Sequence, residues 1–176
     1  MAHTADASTA LSADGSTCAV LRHLTATLAY RAAKVLRDAP PEFGGRTFGS
    51  STRQPVRIVA HMADLMAWAM TLAQGEYVWK PEGGDDWQIE VRRFFAGLES
   101  LDRALVAGVP PGSAEQLIQG PLADALTHVG QLAMLRGMAG SPVRPESYAR
   151  AEIVAGCVGL EQAAARREFD GDASGR

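Results

Sequence analysis

Apolar residues recur along this chain at helical spacing, in four stretches separated by loops rich in proline and glycine. The first stretch runs from about Thr17 to Asp38, with Leu21, Leu24, Leu28, Ala32 and Val35 on one face. Pro40 and Pro41 stop it, because proline cannot continue a helix. The loop GGRTFGSST follows, and at this length it is expected to border a site. The second stretch opens at Pro55, a good first-turn residue, and reaches Gln74, with Gly75 as its cap. The third covers about Asp86 to Ala107. Trp87, Val91, Phe94, Leu98, Leu101 and Leu105 form its apolar stripe, and Glu90, Arg92, Arg93, Glu99 and Arg103 read as its solvated face. GVPPGSAEQLIQG is a turn with one short helical piece, and the fourth stretch runs from Pro121 to about Ala139, closed by Gly140 and Pro142. Residues 143–170 are less regular and are expected to add one or two short helices. The pattern predicts an all-α four-helix bundle with short additional helices and an irregular C-terminal segment. One domain spans 17–170, between flexible ends at 1–16 and 171–176.

The second and fourth stretches are unusually poor in charge. Helix two has only Arg57 and Asp64, and helix four only Asp124 and Arg136. Helices of this kind are buried on several sides. At about 100° per residue, Arg57, His61, Asp64 and Trp68 fall on one narrow stripe. Asp124, His128, Gln131 and Leu135 repeat the same spacings on the fourth helix. Either stripe alone reads as a strip that sees water. Together they place a histidine and a carboxylate on each of two helices that would face each other in a bundle. Carboxylates in a core are costly unless paired or bound to a metal.

Imidazole with carboxylate suits zinc, nickel, manganese or ferrous iron. Asp124 and His128, four residues apart, offer two ligands from one face, and His61 offers a third. Three protein ligands leave positions open, as catalytic sites do. Asp64 and Gln131, one turn on, are expected to orient the imidazoles or a bound water, although an ion pair with Arg57 would equally suit Asp64. Arg57 is the candidate contact for an anionic substrate or the carboxylate of a thiol cofactor. His3 lies in the expected flexible terminus, and His23 beside the first apolar stripe is expected to be partly exposed.

The chain has 176 residues and a net charge of −3, which offers no basic field for nucleic acid or an anionic membrane. Cys18 and Cys157 stand far apart, outside any CxxC pair, and each is expected as a buried thiol. The N-terminal residues lack the basic start and apolar run of a secretory signal. No charge-free apolar run of about 18 residues suggests a membrane span, so the expected location is cytoplasmic.

VRIVAHMADLMAWAM, followed later by PLADALTHVGQLAMLRGMAGSPV, resembles the DinB-like superfamily, also called DinB/YfiT-like. The run around His128 carries the most specific likeness, and the similarity covers about residues 17–150. The resemblance implies a four-helix bundle in which a second-helix histidine joins two histidines, four residues apart on a later helix, around a divalent metal. His61 matches the first of these and His128 the last. Asp124 stands where the family normally has histidine, giving two imidazoles and one carboxylate. The carboxylate adds negative charge and favours iron or manganese over nickel. The resemblance also implies homodimers and thiol-dependent activities, among them transferases, a mycothiol-dependent maleylpyruvate isomerase and enzymes of ergothioneine biosynthesis. Two readings follow. One is a metal- and thiol-dependent transferase or isomerase acting on a small molecule. The other is a non-catalytic dimer with a degenerate metal site, acting as a small-molecule-binding or stress-related protein.

Overall fold

The helical pattern becomes four long helices in a computed structural model that describes residues 8–169, with side chains from residue 15 onward. Their order is α1 (Ser8–Leu36), α2 (Pro55–Ala73), α3 (Trp87–Ala107), the short α4 (Ser113–Leu117) and α5 (Ala123–Met138). A π-helical segment, Ile118–Leu122, joins α4 to α5. α1 starts well ahead of the expected Thr17, and the expected flexible tail at 171–176 lies outside the described residues. Residues 143–169 add a single 3₁₀ turn, Tyr148–Arg150, instead of further α-helices. One isolated bridge pairs Glu146 with Glu168.

Among the described residues α2 packs against α3 and α5, α1 packs against the same two, and the backbones of α1 and α2 do not approach each other closely. The two sequential helices therefore sit on a diagonal of the bundle, which explains the long loop from 37 to 54 that carries the chain across. α2 is long and apolar enough to cross a membrane by length and composition, but 67% of its most apolar window is buried inside the bundle. Its charge-poor sequence is that of a core helix, as the stripe pattern predicts. Leu21, Leu28, Met62, Met66, Leu72, Phe94, Leu98, Leu101 and Leu105 are all but sealed from solvent. Each such side chain stabilises the fold by about 1.5–3 kcal/mol relative to exposure.

Local chemistry sets the helix ends. Pro55 occupies the first turn of α2, and Gly75 follows its C-cap at φ +82°. Asp86 caps α3 by accepting the N–H of Ile89 at 2.9 Å. α2 and α3 approach closely because Gly97 lacks a side chain: a Cβ there would lie 2.6 Å from Cβ of Met66. Arg136, buried near the end of α5, donates to Val35 O at 2.7 Å and to Ser141 O at 2.9 Å, tying α5 to the end of α1.

The face of α3 read as solvated is not uniformly so. Glu90 of that face is buried, and so is Asp102 elsewhere on the helix. Arg22 binds both oxygens of Asp102, at 2.9 and 3.0 Å, and Glu90 is paired as described below. Carboxylates with such partners tolerate burial. Cys18 is buried as expected, whereas Cys157 is exposed, because its segment lies over the bundle's surface instead of inside it.

Candidate metal centre

α2 and α5 are neighbours in the bundle, so the His61 stripe and the His128 stripe meet. The two imidazole rings lie edge to face, 4.9 Å between centroids. Asp124 spans them. Its Oδ2 is 3.2 Å from His61 Nε2, and its Oδ1 is 3.3 Å from His128 Nε2. The three residues offer donor atoms all within 4.8 Å of one another, a group that can hold a metal ion. Donors about 2.0–2.1 Å from a tetrahedral ion stand roughly 3.3 Å apart, which is the spacing found on both sides of the carboxylate.

The proton arrangement favours a cation at this point. His128 Nδ1 is 2.8 Å from Gln131 Oε1. An amide oxygen only accepts, so Nδ1 carries a proton, and in the neutral tautomer Nε2 turns its lone pair toward Asp124. A lone pair and a carboxylate facing each other repel unless a proton or a metal cation lies between them. Gln131 thus stands within hydrogen-bond reach of the ring that its spacing suggests it orients.

His128 is buried, but the carboxylate is not: 43% of the Asp124 side chain is exposed. The centre opens at the surface of the α2–α5 seam instead of lying sealed in the core. The buried carboxylate of the two stripes is Asp64, and it is not part of the group. Three residues on from His61, its side chain points about 60° round the helix, toward α3. There Arg93 Nη1 meets Asp64 Oδ1 at 2.7 Å, while Arg93 Nε donates to Glu90 Oε2 at 2.8 Å. Burial weighs against the Arg93 charge, yet its bonds to Asp64 and Glu90 outweigh this and raise its pKa. Asp64 thus bonds to Arg93 and to the Glu82 N–H, and not to Arg57 or to the imidazoles. Arg57 is exposed, donates to Gly84 O at 3.3 Å and lies 3.9 Å from Asp85. It lines neither cavity beside the centre. His23 is exposed as expected, and His3 lies outside the described residues.

The connector between α2 and α3 supplies residues that the helical stripes do not contain. Asp64 Oδ1 accepts the N–H of Glu82 at 3.0 Å, and Glu90 Oε1 accepts that of Gly84 at 2.8 Å. This latch holds the connector so that Trp79 lies 5.8 Å from the His61 ring and 5.8 Å from Trp68. Trp68 also meets Tyr77 at 5.3 Å. The result is an aromatic cavity of about 200 Å³ with His61 and Asp124 in its wall. Trp68 reaches this position by packing on the π segment, where a Cβ at Gly120 would lie 2.9 Å from its ring. A second cavity, about 470 Å³, lies on the other side and is walled by His128 and Gln131. The sequence signal for the first wall was the pair of aromatics in EYVWK, set among polar residues in a loop.

No family model, curated protein or solved structure matches this chain.

Proposed function

We propose that the protein is a metal-dependent enzyme of DinB-like type, with His61, Asp124 and His128 as ligands to a divalent ion. The observation that carries this reading is the carboxylate of Asp124 set 3.2 and 3.3 Å from two imidazole nitrogens, with the far nitrogen of His128 committed to Gln131. The all-helical bundle is consistent with the sequence resemblance. When bound, the ion supplies Lewis acidity, lowering the pKa of a thiol or water that meets it. Within the protein, Gln131 fixes the tautomer of His128, Asp124 contributes the negative charge, and Trp68, Tyr77 and Trp79 wall one side with aromatic surface. Two cavities flanking one centre suit the transfer or isomerisation of a small molecule, with a low-molecular-weight thiol as the partner nucleophile.

The test begins with protein purified without a histidine tag, stripped with a chelator and offered zinc, nickel, iron or manganese separately. Elemental analysis is expected to find one ion per chain, lost in His128→Ala while the helical circular dichroism is retained. For the thiol, cobalt-loaded protein is expected to change its absorption on addition of cysteine. Folded protein that retains none of the four metals would replace this reading with the non-catalytic one.

A further inference from the structure

The larger cavity beside the centre has a polarity of its own. It is lined by Ser51, Thr52 and Arg53 in the loop before α2, by the apolar Ile58, Met134 and Leu135, and by His128 and Gln131. No carboxylate lines it. Among the described residues, neither the Arg53 guanidinium nor the two hydroxyls has a hydrogen-bond or ion-pair partner. The other arginine near the centre, Arg57, is by contrast turned to Gly84 and Asp85.

We propose that this cleft binds the carboxylate of an amphipathic organic anion, with Arg53 as the clamp. A guanidinium presents a planar fork of donors that matches a carboxylate, and the neighbouring hydroxyls donate to the same oxygens. The apolar lining then takes a short hydrocarbon body, and the far end of the ligand comes to rest against the His128–Gln131 pair. A cleft of about 470 Å³ is of a size that suits a small molecule. This inference rests on the metal reading, because the clamp gains its purpose from a reactive centre next to it. It assigns to Arg53 the anion contact that the sequence pattern suggests for Arg57.

The experiment uses hexanoate as the probe and isothermal titration calorimetry on zinc-loaded protein, with zinc content measured in the same samples. Hexanoate is expected to bind on the order of tenfold more weakly to Arg53→Gln. Arg53→Lys, which keeps the charge, is expected to restore part of the affinity, and 1-hexanol is expected to bind the unaltered protein more weakly than hexanoate. Equal hexanoate affinity in the unaltered and Arg53→Gln proteins overturns the proposal, since the carboxylate would then sit on the zinc itself. Zinc-loaded protein that takes no hexanoate also overturns it while leaving the metal reading intact. Arg53-dependent hexanoate binding by protein that holds no zinc supports the cleft and counts against the metal reading alone.

Discussion

His128 donates its Nδ1 proton to Gln131 Oε1 across 2.8 Å, one turn further along α5. Gln131 is exposed, so its removal bears on the centre more than on the fold. Gln131→Leu frees the ring to change tautomer and to rotate. Zinc affinity, measured by competition with a chromophoric chelator, is expected to fall about ten- to a hundredfold. The urea unfolding midpoint of the metal-free protein is expected to stay where it was.

Asp124 stands on α5 with its carboxylate shared between two rings. Asp124→His exchanges a hard oxygen donor for a third imidazole at the same helical position. Zinc and nickel bind imidazole well, so both are expected to bind more tightly in this variant, and manganese more weakly. A weaker zinc isotherm would remove Asp124 from the ligand set.

Asp64 is held at 2.7 Å by Arg93, with 6% of its side chain exposed against 29% for Arg93. Removing one partner of a fully buried pair costs about 3–5 kcal/mol. Arg93 keeps Glu90 and some solvent, so Asp64→Ala is expected to destabilise by about 2 kcal/mol in urea unfolding. The same change releases the N–H of Glu82, and acrylamide is expected to quench tryptophan fluorescence more strongly as the Trp79 connector loosens.

The C-terminal segment is fastened to α1 through charge. Lys34 binds Glu146 at 2.7 Å and Glu168 at 2.6 Å, and Tyr30 donates to Glu146 at 2.8 Å. The hydrogen bond from Lys34 lowers the Glu168 pKa below its ordinary 4.5. A depressed carboxyl contributes stability that is fully present above its unfolded value and disappears as pH falls through its folded one. The attachment is therefore expected to hold at neutral pH and loosen below about pH 4.5. Hydrogen exchange in residues 144–169 should report this, and Lys34→Met should reduce the pH dependence to the smaller part that Arg144, 3.7 Å from Glu168, still supplies.

The sequence made the bundle legible because α2, α3 and α5 each carry an unbroken apolar period with a punctuating residue at one end. Pro55 and Asp86 mark starts within a residue. Pro121 misleads: it lies inside the π segment that links α4 to α5, and it marks a distortion in a longer helical run instead of a beginning. The His61, Asp124 and His128 group was legible because two stripes with identical spacing lie on charge-poor helices. The role of Asp64 was not. A helical wheel says which residues share a side, but not that Arg93 of α3 stands opposite one edge of that side. Glu90 and Arg93 look like surface charges for the same reason, since their partners lie in a loop and on another helix. Arg53 and Trp79 sit in connectors, where no periodicity reports direction.

Both anchors of the connector, Asp64 to Glu82 and Glu90 to Gly84, grip peptide N–H groups and not side chains. The residues between Gly75 and Pro81 can therefore be exchanged while the strap keeps its place. Within the strap itself, proline at 82 or 84, or any side chain at 83, where a Cβ would sit 2.8 Å from Ala60, would unfasten it. Tyr77 and Trp79 are thus the positions at which the choice of guest can be retuned, by evolution or by directed mutagenesis, at little expense to the scaffold beneath.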